Sequence, residues 1–526
     1  MRPHRGLSGT PRKGRTSSGT APITATPWFP ILLGTLLRLV QIWMPIVGIH
    51  SWRQADTAAM ARHFHASATP IWLPQIDWGG ATSGFVESEF PLYPFLVSRV
   101  YGLFGVHEWL GRGLSVVCSG LTIWLVIRLG RRWFNPSAGW WGGVVFAVAP
   151  LGVYFGRTFQ AEALLLFCAA AALECMSLWR QHRSRTALVL SWIGFTSAAL
   201  IKVLPLLWLG LPLLMVQLIN DPHAEAETPA RLLQRCLGLV RRPGFWIYLA
   251  STLVVVCGWY WHAHQLGQSS GLSFGFWGSD SDRSSLDLLL SAESWFNLAL
   301  RIVIRLLAVV GLPFLVLGIR HSRTSGGGRI ALSGLVGLAL CTVATMRSST
   351  VHDYYQLPML LFTCPLVGLG WQKWHQQNHR PRWQPMAVLA LGLAISITVL
   401  SLDYWAIEQR QAREWLPLAL NIRKTLPTDA RIVSVTSTDP TLLNLARRQG
   451  WLISAKQLNP KRFAEWDAAG ATHLAGSFQW EKMYRPMPEQ RRLALQELAA
   501  STPGSWVDSI SNTYLIPLEG LPRRSP

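Results

Sequence analysis

The chain has 526 residues, 50% of them hydrophobic and only 14% charged, with a positive mean hydropathy, which excludes an ordinary soluble multidomain protein and makes the bilayer its solvent. Its net charge of +21 would suit nucleic acid, but Lys and Arg recur in short groups between apolar runs and build no single basic face, so they read as topology signals and nucleic acid is excluded as a partner. The 27 tryptophans agree, because an indole favours the headgroup level, where its ring is apolar and its N–H is wet.

Residues 1–27 carry Arg2, Arg5, Arg12, Lys13 and Arg15 among Ser, Thr, Gly and Pro, and are expected to be a disordered basic cytoplasmic tail. No small-residue cleavage site follows the first apolar run, which is therefore read as a retained helix. Runs near the length needed to cross the hydrocarbon predict about eleven transmembrane helices. They cover 28–49, 109–130, 137–155, 160–179, 186–201, 203–219, 245–263, 297–319, 330–346, 355–372 and 385–403. With the tail inside, the cytoplasmic loops become 128–132, 180–185, 231–242, 320–329 and 373–382, all rich in Arg.

The opposite side then holds nearly all the acids of the membrane part: Asp56, Asp77, Glu87, Glu89, Glu108, Glu162, Asp280, Asp282, Asp287, Glu293 and Asp353. Glu174 is the exception. Charge inside a bilayer is costly, so a bundle that gathers carboxylates at one rim is built for chemistry or ion passage there. Beyond residue 404 the texture becomes that of a soluble domain. Strands are expected at RIVSV, THLAG and SNTYLIPL, with helices at 441–451 and 461–471. The expected fold is thus an all-α polytopic membrane protein, residues 28–404, carrying a small α/β domain at 405–526 on the outer side. The seven cysteines lie mostly inside apolar runs, without pairing or metal spacing, and read as small buried hydrophobes.

The densest chemistry lies in the first outside loop, 50–108. A helix from Ala55 to Ala66 would put Asp56, Ala59, Met60 and His63 on one face, with Arg53 one turn earlier. In ESEFPLYP, Glu87 and Glu89 point to opposite faces of an extended chain, and Pro91 suits the first turn of a helix. Arg157 and Glu162 start a span; Glu162 is either a site carboxylate or a helix-start one. Lys202 sits between two apolar runs and must snorkel or meet an anion. Arg347, His352, Asp353, Tyr354 and Tyr355 begin another span, and an aromatic belt would explain only the tyrosines. Arg301 and Arg305 either bind a lipid phosphate or reach the headgroups.

Taken together, these motifs carry a resemblance. WRQADTAAMAR, the E-x-P-L-Y-type turn, R-x-x-x-x-E at 157–162, the lone Lys202, WYWHAH at 259–264 and H-x-Y-Y-x-L-P at 352–358 stand in the order found in polyprenyl-phosphate-dependent glycosyltransferases of the GT-C superfamily. The chain resembles in particular the bacterial relatives of protein O-mannosyltransferase and of the lipid A aminoarabinose transferase. In this chain Asp56 is followed by Thr57, where many relatives have an acidic pair and Tyr, and Phe90 stands where some have Lys.

The resemblance implies a multi-pass protein of the bacterial inner membrane. It would move a sugar from a polyprenyl-phosphate carrier to a lipid, polysaccharide or protein acceptor on the outer face. It assigns Asp56 as the loop-one carboxylate that acts as general base or positions the acceptor in an inverting direct displacement, Glu89 as the second catalytic carboxylate, with Pro91, Leu92 and the substrate-binding Tyr93 following it, and it places Lys202, Arg347 and His352 near the lipid phosphate. Arg53, Glu87, Arg157, Glu162, Arg301, Arg305, Tyr354 and Tyr355 complete the candidate substrate-binding set. A divalent metal on Glu89 with His262 or His352 is compatible with the donor types. The competing class is a lipid or sugar transporter or flippase, which would show interrupted helices at corresponding places in two halves. A ligand sensor would need a cytoplasmic output domain, and neither feature is found.

Overall fold

The computed structural model describes residues 26–225, 228–274, 286–376, 383–482, 485–519 and 521; the basic tail through residue 25 and the acids Asp280 and Asp282 lie outside the described residues. Among the described residues, five helices are long and apolar enough to cross a membrane: Glu108–Trp133, Glu162–His182, Pro243–Ser270, Gly326–Ala344 and Trp383–Thr425. Ala292–Leu306 and Gly311–Ser322 pass the same test only as a pair, bent by 99° at the break between them, the shape of a broken span or a re-entrant loop. The chain is a multi-pass membrane protein.

The other expected spans are helical but shorter or broken. The run 28–49 is helical only over Trp28–Leu39; Gln41 (φ 58°), Pro45 and Gly48 (φ 102°) turn the chain out of the helix. The run 137–155 breaks between Val148 and Pro150, and 203–219 breaks at Leu209, because a proline cannot continue the hydrogen bonding of the turn before it. In the bent pair, Ala308 and Val309 take positive φ of 46° and 61°.

Leu360–Gln376 is central, packed against Pro136–Val148 and Gly311–Ser322. Glycines set that closeness: a Cβ on Gly368 would stand 2.1 Å from the Ala138 carbonyl, and one on Gly370 1.9 Å from that of Phe314. Glu174, the exception to the one-sided acids, is held by Arg128 and Arg132 at 2.7 and 2.8 Å, so its charge is neutralised at the arginine-rich rim.

At the other rim the first loop folds as a helix, Ser51–Ala66, four residues longer at its start than expected, then a loop and a helix Leu92–Phe104 preceded by Pro91. Above it stands the C-terminal domain, with strands β1 (Arg431–Val435), β2 (Gly450–Leu452), β3 (Ala471–Ser477), β4 (Trp480–Lys482), β5 (Arg485–Pro486), β6 (Trp506–Asp508) and β7 (Thr513–Pro517). The main sheet runs β2-β1-β3-β7-β6; β1 is parallel to β2 and β3, whereas β7 is antiparallel to β3 and β6. The expected helix 441–451 stops at Ala446, where Arg447 turns left-handed (φ 51°) and the chain enters β2 at Gly450. One helix joins this domain to the membrane part. The helix Trp383–Thr425 runs through residue 404 with a π-helical turn at Leu400–Trp405.

That long helix is tied into the bundle by a buried ion triad. The Arg157 guanidinium donates to Glu408 Oε2 at 2.5 Å, and Arg112 stands 4.0 Å from Oε1; all three side chains are 0% exposed.

Candidate active site

The first-loop helix starts after His50, which takes a left-handed conformation (φ 55°) and turns the chain from the first span onto the rim. Asp56 lies on its inner face, 3% exposed, and accepts the Trp78 indole N–H at 2.9 Å. Burial pushes the Asp56 carboxyl up to about 8, against the pull of that hydrogen bond and of Arg53. Asp77 shows the opposite balance: burial disfavours its charge, but Arg62 and His63 outweigh it and hold the carboxyl below the usual range.

Glu87 and Glu89 face opposite ways, as their spacing requires. Glu87 accepts from Ser273 and stands 3.6 Å from His264, fastening the loop to the end of the helix Pro243–Ser270. Glu89 pairs with Arg53, whose guanidinium also lies over the rings of Trp52 and Phe274 at 6.0 and 5.3 Å. Glu162 and Lys202 form the second pair, Oε1 to Nζ at 2.5 Å, and Lys202 also sits 4.4 Å above Tyr354 and 5.3 Å above Tyr355. Of the alternatives open in the sequence, Lys202 meets an anion and caps two aromatic faces as well.

The segment 346–359 brings a third group. His50 Nε2 lies 3.1 Å from Asp353 Oδ1, while Asp353 Oδ2 accepts from Arg305 at 3.0 Å and from the Tyr404 hydroxyl at 3.1 Å. Burial works against the Asp353 charge, but His50 and Arg305 keep it ionised below the usual range. His352 stacks on Tyr354 and meets the edge of His50; burial, then His50 and Lys202, lower it to about 3, so it stays neutral at physiological pH. A narrow cleft opens at this point. Glu162, Lys202, Tyr354 and Tyr355 form its polar end, and Leu165, Trp208, Leu338 and Leu357 are among its apolar walls. On the far side of the same segment, Arg301, Arg305, Thr350 and Asp403 line a separate polar cavity.

The structure thus gathers Arg53, Asp56, Glu89, Glu162, Lys202, His352, Tyr354 and Tyr355 at one rim. It does not bring every candidate there. Tyr93 is fully buried and spends its hydroxyl on the Gly111 carbonyl and Ser115, Arg157 is locked to Glu408, and Arg347 is exposed on the short helix Met346–Val351. Arg301 donates to the carbonyls of Ser349 and Thr350. The three residues offered for a metal do not converge: Glu89 is on Arg53, His262 bonds the Trp72 carbonyl at 2.8 Å and His352 packs on Tyr354. Among the described residues no three His, Cys, Asp or Glu side chains form a metal-holding group. Sequence reasoning passed over His50, Trp78 and Tyr404; only the position of His50 beside the loop helix offered any signal.

The sequence profile of the family described as dolichyl-phosphate-mannose-protein mannosyltransferase matches residues 88–261, about a third of the chain. The structure superposes on ArnT from Cupriavidus metallidurans bound to undecaprenyl phosphate with a TM-score of 0.65 at 17% identity, over 94% of this chain and 98% of that one. The fold is that of the GT-C glycosyltransferases. The same fold recurs in the Archaeoglobus fulgidus oligosaccharyltransferase, with a TM-score of 0.52 at 12% identity over 86% of this chain and 69% of that one. Mycobacterial arabinofuranosyltransferase AftD matches with a TM-score of 0.52 at 14% identity, over 92% of this chain but 39% of its own length. No protein of curated function matches the sequence. A GT-C fold gives the rim cluster a setting: an apolar bundle below, a folded domain above, and the ionisable side chains between them.

Proposed function

We propose that this protein is an integral-membrane glycosyltransferase that moves a sugar from a polyprenyl-phosphate carrier to a hydroxyl acceptor at the extracytoplasmic rim. The observation that carries the reading is the cleft headed by Lys202: apolar walls suit a prenyl chain, and a lysine with two tyrosines suits the phosphate at its end. ArnT was solved with undecaprenyl phosphate, and the archaeal oligosaccharyltransferase AglB with dolichol phosphate and an inhibitory peptide, which supports this donor class. Charge placement supports a cytoplasmic N-terminus and an outer C-terminal domain, residues 405–526.

In this reading Asp56 takes the proton of the acceptor hydroxyl as its oxygen attacks the anomeric carbon. The bond from that carbon to the carrier phosphate breaks, the electron pair leaves on the phosphate, and the anomeric centre inverts. Arg53 and Lys202 meet the charge growing on the leaving group, each held in place by its own carboxylate, Glu89 and Glu162.

The test is transfer by the full-length protein in lipid bilayers from purified undecaprenyl-phosphate sugars, followed as release of undecaprenyl phosphate. Uptake of substrate into sealed vesicles without a new glycosidic bond would instead establish a transporter.

Two outcomes follow. A base must be ionised, so kcat/KM should rise with pH and level off above about 8. Stability should move the other way. A carboxyl whose folded value is raised contributes stability below its unfolded value, and that contribution is lost as pH climbs through about 8. A pH-rate profile flat from pH 6 to 9 would remove Asp56 as the base. Lys202→Met alone strands Glu162, so the informative variant is Lys202→Met with Glu162→Gln. Undecaprenyl phosphate binding by that variant, measured by titration, should weaken about 10- to 100-fold.

A further inference from the structure

We propose that the C-terminal domain is a working part of the catalytic rim: its edge strand β2 holds the loop that carries Trp78, and Trp78 is the positioning residue that presents the Asp56 carboxyl. The proposal rests on the reading of Asp56 as the base. It assigns a task to a domain whose sequence shows no site of its own.

The connection is continuous and made mostly of main chain. Gly450, at the start of β2, donates its N–H to the Asp77 carbonyl at 2.9 Å, and its carbonyl accepts from Gly79 and Gly80 at 3.1 and 2.8 Å. The loop therefore extends the sheet by one parallel bridge between Trp78 and Gly450. An edge strand offers unpaired donors and acceptors to whatever lies alongside, and here they are taken by the catalytic loop. Main-chain bonds of this kind fix the direction of the side chain between them. The Trp78 indole, held by the bridge, donates its N–H to Asp56.

Two side-chain contacts reinforce the dock. Arg62, on the helix that bears Asp56, reaches both Asp77 and the Asn444 side chain, the latter at 3.0 Å. At the start of the same helix, the Thr441 hydroxyl donates to Ser51 Oγ at 2.9 Å. The packing leaves no slack. Gly80 has φ of 65°, and a Cβ there would stand 2.1 Å from the Trp451 indole nitrogen. The charged groups facing Asp56 are Arg53 on its own helix, Asp77 on the loop and Asp439 on the C-terminal domain. The two carboxylates raise its proton affinity, so the indole N–H and Arg53 are what favour the ionised form.

The full-length protein in lipid nanodiscs is titrated by infrared difference spectroscopy, which reads the protonated carboxyl directly and needs no sugar donor. The Asp56 band is identified by its loss in Asp56→Asn. Trp78→Phe keeps a large ring but removes the N–H, and should move the Asp56 titration upward by about one to two pH units. Gly80→Ala, which pushes the loop off β2, should move it the same way by a smaller amount, and should add nothing in the Trp78→Phe background. An unmoved titration in Trp78→Phe overturns the proposal. So does an equal shift from Gly80→Ala in both backgrounds, since the sheet would then act by another path. Should Trp78→Phe fail to fold, a Gly80→Ala titration at the wild-type position overturns it as well. Transfer by Asp56→Asn tests the base reading separately. Undiminished transfer there removes the base while leaving the titration result intact.

Discussion

Asp56→Asn is expected to lower sugar transfer by about 10²- to 10⁴-fold, the range a positioned general base supplies, while leaving undecaprenyl phosphate binding within about twofold of the parent. The variant is chosen for what it preserves. Asn has the same shape and still offers an oxygen to the Trp78 N–H, so the loop and the C-terminal domain stay docked. It cannot take a proton, and it removes the rise of rate toward pH 8 along with the rate. Initial rates of undecaprenyl phosphate release, beside a titration of the same lipid, separate the two effects. Transfer at the parental rate by a folded Asp56→Asn protein would reassign the base, with Glu89 or Glu162 the next carboxylates on the rim.

Glu408→Ala should have the largest effect on stability. The residue has no exposed surface and sits between Arg157 and Arg112, also fully buried. Removing the carboxylate strands the two guanidinium groups in a place without water. Breaking a buried ion pair from one side costs about 3–5 kcal/mol, and with two partners the upper end applies. Denaturant unfolding in detergent, followed by tryptophan fluorescence, should show that loss. A melt indistinguishable from the parent would mean that water reaches the triad. Glu408→Gln keeps an acceptor for one guanidinium and should fall between the two.

Both predictions concern contacts of very different visibility in the sequence. Apolar runs punctuated by arginines announced the bundle, because span length and loop charge are properties of neighbouring residues. The helix around Asp56 and the opposed directions of Glu87 and Glu89 followed from spacing for the same reason. Breaks inside spans were lost because Pro150 and Pro212 sit in otherwise unbroken apolar runs, and the left-handed turn at Arg447 made a strand from the end of an expected helix. Long-range partners had no local signal at all. Trp78 reaches Asp56 across 22 positions, Arg157 reaches Glu408 across 251, and His50 reaches Asp353 across 303. Glu408 reads as a polar residue just past the last apolar run, and nothing nearby hints that it pairs with two arginines deep in the protein.

The helix Trp383–Thr425 has a mechanical consequence. A continuous helix passes tilt from one end to the other, so the C-terminal domain and the bundle move together. The helix has two irregularities: Pro417, which removes one hydrogen bond of the helix, and the π-helical turn at Leu400–Trp405, a kind of bulge that often accompanies functional sites. Asp403 and Tyr404 leave the rod at that turn and grip Arg305 and Asp353. Any rocking of the domain therefore pivots where the rod holds the wall between the two cavities, so a load on the domain reaches both of them.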